Sequence, residues 1–224
     1  MAAKFIGAWS WSRIEMFEQC PRKFELNNII KPSNFAFVEN DVTKRGKRVH
    51  KDLENALLGK DLPEDLKHVK PIVDKILAKF KDVQPERKVC WDKNKIASDW
   101  FDAKRTMFRA ELDVLAVNGT EAIIYDWKTG NVRDKPDQLK LYAAVVFMLY
   151  PEVQKVHTAF IFVDHQQVRD AIYTRDQFQK IWHSFEERAD LILAAHEENR
   201  WPPRKNYLCN WCDATPTQCP YGNK

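Results

Sequence analysis

Two short charged segments near the middle of this 224-residue chain carry the residue types needed for metal-assisted hydrolysis, Glu111-Leu112-Asp113 and Asp126-Trp127-Lys128. Both lie in strand-like runs that are joined by a turn at Asn118-Gly119. Because side chains alternate across a strand, the two acids of the first segment share one face, as do the aspartate and the lysine of the second. Taken alone, the pattern fits either an exposed hairpin with salt bridges or a metal site.

A metal site of this composition would take Mg²⁺ or Mn²⁺. Carboxylate oxygens suit these hard ions, which keep open positions for water and for a substrate phosphate. A bound metal lowers the pKa of its water. Lys128 beside it would orient that water or neutralise charge that develops on the phosphate. The chemistry that these residue types predict is therefore hydrolysis of a phosphate ester.

Three of the five cysteines, Cys209, Cys212 and Cys219, follow a C-x2-C-x6-C spacing that lets their thiolates meet at one centre. Cys20 precedes a proline, as Cys219 does, and is the candidate for a fourth ligand. Cys90 lies in a strand-like run and is predicted to be a small core residue. The absence of a secretion signal argues against disulfides, whereas structural Zn²⁺ and an iron–sulfur cluster fit the spacing equally well. Either centre would tie the two chain ends together.

The composition is that of a soluble globular protein, with 44% hydrophobic and 30% charged residues. No apolar run approaches the roughly 20 residues of a membrane span, so no membrane partner and a cytoplasmic location are expected. The length favours one domain over residues 1–224. The net charge of +4 does not by itself indicate nucleic-acid binding. Basic clusters at residues 44–51 and 200–205 either contact phosphates or form solvated faces.

Hydrophobic periodicity predicts an α/β domain. Helices are expected near residues 12–19, 43–58, 63–80, 136–149 and 175–199, with Pro71 kinking or restarting the third. Strands are expected near residues 87–91, 107–117, 122–127, 156–163 and 167–174. This order predicts one central mixed sheet flanked by helices.

In this order, the segments resemble the PD-(D/E)XK nuclease superfamily. They are most similar to its RecB-like exonuclease branch with a C-terminal iron–sulfur cluster, which includes CRISPR-associated adaptation nucleases and phage-encoded relatives. The resemblance rests on residues 10–23, 46–50, Asp113, 126–130, 138–142 and the three C-terminal cysteines. The chain departs from the family pattern at Ala110, where a glycine is usual, and at Trp127, where a smaller aromatic is usual. Glu111 matches no ligand position and is expected to be a bystander or a partner of Arg109.

The resemblance implies a restriction-endonuclease-like core and a set of site residues. His50, Asp113, Asp126 and the backbone carbonyl of Trp127 would bind Mn²⁺ or Mg²⁺. Asp113, Asp126 and Lys128 would be catalytic, and Gln138 and Tyr142 would bind substrate. A [4Fe–4S] cluster, with zinc as the alternative, would be held by Cys20, Cys209, Cys212 and Cys219, so that residues 1–30 and 200–224 form one cluster region.

The function implied is that of a metal-dependent deoxyribonuclease, an exonuclease on single-stranded DNA or DNA ends. The process would be recombination and repair, phage DNA processing or CRISPR adaptation. The partners implied are DNA, proteins of recombination or CRISPR adaptation, and further copies of the chain. The alternative is a catalytically idle DNA-binding or adaptor module in such a complex.

Overall fold

The computed structural model describes residues 6–132 and 135–222. Within these ranges five strands form one sheet, and their order in the sheet follows the chain. Their bounds are β1 Asp82–Trp91, β2 Phe108–Asn118, β3 Glu121–Lys128, β4 Lys155–Phe162 and β5 Gln167–Thr174. All five correspond to predicted strands. β1 begins earlier than predicted because residues 82–86 contain a proline and one β-branched apolar residue, Val83, and so lack the apolar alternation on which the prediction depends.

β2 and β3 form the predicted antiparallel hairpin, in which Asn118 lies opposite Glu121. The turn residues are therefore Gly119 and Thr120, one position later than predicted. Gly119 has a φ of 57°, a left-handed conformation that glycine adopts without steric cost. The hairpin brings the two charged segments of the sequence onto neighbouring strands.

Helix α5, Pro136–Leu149, connects β3 to β4, and these two strands pair in parallel. Adjacent parallel strands need such a crossover, because a tight turn reverses the direction of the chain and can join only antiparallel strands. Nine of the α5 side chains are buried, which agrees with its nearly continuous apolar sequence. β4 is an interior strand and pairs antiparallel with the edge strand β5.

The other α-helices of the described chain are α1 Trp11–Gln19, α2 Pro21–Glu25, α3 Asp41–Leu57, α4 Lys70–Lys79 and α6 Phe178–Glu197. Pro71 lies in the first turn of α4, so the predicted helix over residues 63–80 does restart at this proline. The helical spacing of the sequence predicts one apolar stripe that contains Ile72, Ile76, Leu77 and Phe80. Ile76 and Phe80 are buried, together with Val73, whereas Leu77 is 41% exposed.

Helices pack on both faces of the sheet. Apolar residues of α3 and α4 share a core with Val114, Ile123, Trp127 and Ile161. Leu139 of α5 packs on Phe160 and Phe162. The predicted α/β class, with a mixed sheet flanked by helices, is confirmed.

The chain divides into two compact units. The sheet unit comprises residues 39–89 and 110–183, and the terminal unit comprises residues 6–38, 90–109 and 184–222. In the terminal unit, Trp201 stacks on Phe24 with ring centroids 5.7 Å apart. Residues 1–5 and 223–224 of the predicted cluster region lie outside the described residues. The single nuclease domain over residues 1–224 stays a prediction.

None of the helices in the described ranges combines the length and the apolar character needed to cross a membrane.

Candidate active site

The site begins where β2 and β3 separate. Their ladder ends at the pair Val114–Tyr125, next to Asp113 and Asp126. Beyond this pair, the backbone N–H of Trp127 donates to Asp113 Oδ2 at 2.8 Å. The carboxylate thus takes the place of a ladder carbonyl, which satisfies a buried amide and holds Asp113 at the strand end.

Two further side chains reach the Asp113 carboxylate. His50 on α3 has its Nδ1 3.4 Å from Asp113 Oδ2 and 3.7 Å from Oε1 of Glu86 on β1. One ligand atom from each of these three residues lies within 4.8 Å of the other two. The structure therefore brings together the predicted His50 and Asp113 and adds Glu86. Sequence reasoning missed Glu86 because no motif includes it and it precedes the predicted strand.

Glu86 also has an unusual backbone conformation. Its φ is 49°, in the left-handed region that non-glycine residues rarely adopt. Such a conformation is unfavourable for a residue with a Cβ and persists only where the surrounding structure imposes it. Residues of this kind concentrate at functional sites, which agrees with the position of Glu86 beside His50 and Asp113.

Asp126 is the centre of a second group of contacts. It is only 4% exposed, and its Oδ2 lies 2.5 Å from Lys128 Nζ. Its Oδ1 accepts a hydrogen bond of 2.7 Å from Gln138 Nε2, and Lys128 Nζ donates to Gln138 Oε1 at 3.4 Å. Tyr142, one helical turn beyond Gln138, has its hydroxyl 3.4 Å from Gln138 Nε2. Four of the predicted site residues are therefore linked.

The acidic groups titrate abnormally. Burial raises the pKa of Asp113 to about 8, with a further increase from the charge of Asp126 and an opposing effect of His50. Burial also raises the pKa of Asp126, against the attraction of Lys128. Burial alone would lower the pKa of His50, but Glu86 and Asp113 raise it to about 9. Burial raises the pKa of Tyr142, and the charge of Asp126 adds to this increase. Clustered shifts of this kind mark functional sites.

A divalent cation fits this arrangement. The converging atoms are one imidazole nitrogen and two carboxylate oxygens, which suit Mn²⁺ and Mg²⁺. Within the described ranges, the buried Asp126 Oδ2 receives no hydrogen bond of good geometry, although Lys128 neutralises its charge. The Trp127 indole is buried in the core, and a metal-binding role for the Trp127 carbonyl stays a prediction.

An open cleft of about 640 Å³ leads to His50 and Glu86. Lysines line it, but Lys47, Lys51 and Lys88 pair with Glu39, Glu54 and Glu111 respectively. The basic cluster at residues 44–51 is thus largely an ion-paired helix face. Glu111 was expected to be a bystander or a partner of Arg109. It pairs with Lys88 at 3.5 Å, and the Arg109 guanidinium lies over the Trp100 ring.

The four predicted cluster cysteines line one small cavity in the terminal unit. All four are free thiols, so the disulfide alternative is not realised among the described residues. Backbone N–H groups donate to two of the sulfurs, from Arg204 to Cys20 at 3.3 Å and from Asn206 to Cys209 at 3.4 Å. Cys90 lies apart from them and is half-buried, not part of the core, with its thiol donating to the Ser98 carbonyl at 2.9 Å.

Comparison with known proteins supports the fold and the family. Among solved structures, the chain is similar to a protein from Eubacterium rectale that is provisionally described as an exonuclease, with 16% identity, a TM-score of 0.53 and coverage of 92% of this chain and 87% of that one. It is also similar to the protein SSO0001, with 15% identity, a TM-score of 0.52 and coverage of 97% and 88%. A search of curated proteins finds no significant match. A model of the PD-(D/E)XK nuclease superfamily matches residues 8–116 and 100–220. Because these two matches together cover most of the sequence, the chain belongs to the PD-(D/E)XK nuclease superfamily.

Proposed function

We propose that this protein is a Mn²⁺- or Mg²⁺-dependent deoxyribonuclease of the RecB-like branch, and that it acts as an exonuclease on single-stranded DNA or DNA ends. The observation that carries the proposal is the convergence of His50, Glu86 and Asp113 within 4.8 Å. Divalent-metal use by the superfamily supports it, as does the fold shared with a provisionally assigned exonuclease. Recombination and repair, phage DNA processing and CRISPR adaptation are the processes in which such an activity would serve.

In the proposed site His50, Glu86 and Asp113 hold the cation, with Asp126 completing the set. When bound, the cation would polarise a phosphate oxygen as a Lewis acid and would lower the pKa of a bound water molecule. Lys128, whose ammonium group lies beside Asp126, would donate to a non-bridging phosphate oxygen or to the attacking water. Gln138 keeps the Asp126 carboxylate in place through its 2.7 Å hydrogen bond. This contact supports a positioning role for Gln138, and direct substrate contact by Gln138 and Tyr142 stays a prediction.

We further propose that Cys20, Cys209, Cys212 and Cys219 hold a [4Fe–4S] cluster. All four cysteines line one cavity, which supports a single centre. In a cluster each thiolate would bind a different iron, whereas a zinc site would bind all four thiolates at one ion. The N–H donors to Cys20 and Cys209 suit sulfur ligands of this kind.

The nuclease assignment is tested by cleavage of labelled linear and circular single-stranded DNA in the presence of Mn²⁺. Asp126→Asn and Lys128→Ala are expected to lower the rate at least about 100-fold, because the first removes a charged ligand of the cation and the second removes an ammonium group that would stabilise charge on the reacting phosphate. Glu121→Gln is the matched control on the same strand, since Glu121 pairs with Lys79 and Lys155 at the surface.

An exonuclease degrades the linear strand and spares the circle. Cleavage of both substrates at equal rates would contradict the exonuclease assignment. Undiminished cleavage by Asp126→Asn and Lys128→Ala would reject the site, and no cleavage by the intact protein would favour the adaptor alternative.

A further inference from the structure

Arg169 on β5 lies in register with Asp126 of the proposed active site. In the sheet, Asp126 pairs with Phe160 of β4, and Phe160 pairs with Arg169. Because directly paired residues point to the same face of a sheet, the Arg169 side chain points to the face that carries Asp126 and Lys128. Two strand spacings of about 4.8 Å put the Cα atoms of Asp126 and Arg169 about 10 Å apart. The guanidinium is therefore a neighbour of the site on the same face.

The contacts of the guanidinium direct it toward the Lys128 end of the sheet. Its Nη2 donates to Gln167 Oε1 at 3.3 Å, and its Nη1 donates to the Val168 carbonyl at 3.3 Å. Gln167 pairs with Phe162, and Phe162 pairs with Lys128, so Gln167 is in register with the lysine. Both hydrogen bonds are longer than the usual value of about 3.0 Å. A phosphate on this face would offer two charged oxygens to the guanidinium, in the geometry that arginine matches best.

A cavity of about 370 Å³ lies between α5 and β5 on this face. Its lining includes Pro136, Leu139, Phe160, Arg169 and Tyr173. The Phe160 ring also lies against the Lys128 ammonium group, with Nζ 5.1 Å from the ring centroid. The cavity and the proposed active site thus share the Phe160 ring. A volume of this size is within the range of small-ligand sites, about 300 to 1,000 Å³, so part of a DNA strand has room beside Lys128.

The charged group that faces this cavity is a cation. Among the described residues that line it, Asp170 is the only acidic one. Asp170 pairs with Ala159 of the α3 and α4 core, on the opposite face, and its Oδ2 lies 2.9 Å from His157 Nε2. Its carboxylate lowers the net charge of β5 but does not face a ligand that enters beside α5. Within the described ranges, the Arg169 guanidinium has no acidic partner. The ligand is therefore identified by the active site on the same face, and not by net charge.

We propose that Arg169 is a substrate-binding residue, which contacts a phosphate of the DNA strand next to the phosphate that is cleaved. Successive phosphates of one strand are about 3.4 Å apart along the axis of duplex DNA and farther apart in an extended strand. A separation of about 10 Å from Asp126 places Arg169 within about three nucleotides of the cleaved bond. The inference rests on the proposed function, from which it takes DNA as the ligand, and it adds a contact on β5 that no motif of the sequence includes.

The test is fluorescence anisotropy with a labelled oligothymidylate of about 15 nucleotides in EDTA, so that no cleavage occurs. Arg169→Gln is expected to raise the Kd about tenfold. It should also reduce the slope of log Kd against log salt by about 0.7, the contribution of one contact with a single strand. Arg169→Lys keeps the charge and should keep the slope. Lys75→Gln is the matched control, because it removes one exposed cation of the same unit from α4, on the opposite face of the sheet.

Cleavage kinetics give a second readout, which separates substrate binding from the chemical step. On the linear strand with Mn²⁺, Arg169→Gln should raise KM about tenfold and leave kcat within about twofold. The reason is that a contact with an uncleaved phosphate is equally strong in the ground state and in the transition state. A lower kcat together with an unchanged Kd in EDTA would contradict the assignment. Circular dichroism checks that every variant is folded.

A Kd for Arg169→Gln within about twofold of that for Lys75→Gln, with the same salt slope, would overturn the inference. The same would follow if the intact protein bound no oligothymidylate, or if Arg169→Gln self-associated in sedimentation experiments while its monomer bound DNA normally, since a charge on an edge strand can serve only to prevent strand pairing. Because anisotropy needs no catalysis, the two proposals fail separately. An intact protein that binds through Arg169 but cleaves nothing refutes the nuclease, whereas active enzyme with an unchanged Kd in Arg169→Gln refutes the contact.

Discussion

At the scale of single residues, Glu86 shows how a ligand can be absent from every motif. It contributes a carboxylate to the group with His50 and Asp113, and it does so with a φ of 49°. A residue selected only for stability at this position would be glycine or asparagine. A strained glutamate is most simply explained by a need for its carboxylate.

Replacement of Glu86 separates its two roles. Glu86→Gln is expected to weaken Mn²⁺ binding at least about tenfold, because one charged oxygen ligand is lost. Glu86→Gly should lose the same affinity yet gain about 1 kcal/mol in unfolding free energy over Glu86→Gln, because glycine relieves the positive φ. Titration calorimetry and urea unfolding measure the two effects. Glu64→Gln is the control, and equal Mn²⁺ affinity in Glu86→Gln and Glu64→Gln would exclude Glu86 as a ligand.

The raised pKa values predict how stability varies with pH in the metal-free protein. The pKa of Asp113 is about 8 when folded and 3.8 when unfolded, so the stability from its protonation is complete below the lower value and lost as the pH rises through 8. The pKa of His50, about 9 against 6.5, adds a loss in the same direction at higher pH.

The protein in EDTA should therefore unfold at less urea at about pH 9 than at about pH 6. Asp113→Asn removes the titration of Asp113 and reduces the pKa shift of His50. The urea midpoints of this variant at about pH 6 and about pH 9 should therefore lie closer together than those of the intact protein. An unchanged pH dependence in this variant would show that the buried carboxylate does not control it.

At the scale of elements, α3 positions His50 through its buried stripe and its N-terminal cap. His50 directly follows Val49, which is buried against the sheet with Leu53 and Leu57. At the start of α3, Asn40 Oδ1 accepts the N–H of Thr43 at 2.9 Å, and Thr43 Oγ1 accepts the N–H of Asn40 at 2.9 Å. This reciprocal capping box satisfies amides that would otherwise lack partners.

Loss of the cap should destabilise the sheet unit. Asn40→Ala is expected to lower the unfolding free energy by about 1 kcal/mol, whereas Asn40→Asp keeps the acceptor and should change it by only about 0.3 kcal/mol. Urea unfolding followed by circular dichroism measures both variants. If Asn40→Ala and Asn40→Asp had the same unfolding free energy, the side-chain cap would not contribute to the stability of α3.

At the scale of the whole molecule, the two kinds of predicted centre lie in different compact units. The acidic group and Lys128 belong to the sheet unit, and the four cysteines belong to the terminal unit. In the terminal unit the chain ends are also joined by protein contacts, for example Arg22 Nε donating to the Gln218 carbonyl at 2.7 Å. At Gly222 an added Cβ would lie 2.3 Å from the Thr215 carbonyl oxygen, so this tail turn accepts only glycine without rearrangement.

Replacement of a cysteine tests whether the proposed cluster is bound and whether it stabilises the whole protein. Cys209→Ser is expected to lose bound iron and to lower Tm by at least about 5 °C, since about 2 kcal/mol corresponds to such a shift in a chain of this size. Cys90→Ser is the matched control and should keep both. Iron and zinc analysis of anaerobically purified protein, with calorimetry, measures the outcome. Stoichiometric zinc without iron would replace the cluster with a zinc site, and absence of both metals would refute either centre.

Sequence patterns alone predicted the strands, the bounds of α5 and the α/β class, because alternation, helical periodicity and turn residues act over short stretches of chain. They also led to His50, Asp113, Asp126 and Lys128 as candidates, through local motifs whose assignment as ligands stays a prediction. Cys90 and Leu77 were placed wrongly, because burial at the margin of a core depends on what packs against it.

Only the tertiary structure decided which of these groups meet. His50, Glu86 and Asp113 come from a helix and two strands that are distant in the chain, and no local pattern encodes their approach within 4.8 Å. The end of the β2–β3 ladder, the acceptance of the Trp127 amide by Asp113 and the burial of Asp126 likewise depend on packing. The sequence by itself specified which residue types were available for chemistry. The fold determined which carboxylates lie close enough to one another, and are buried enough, to perform it.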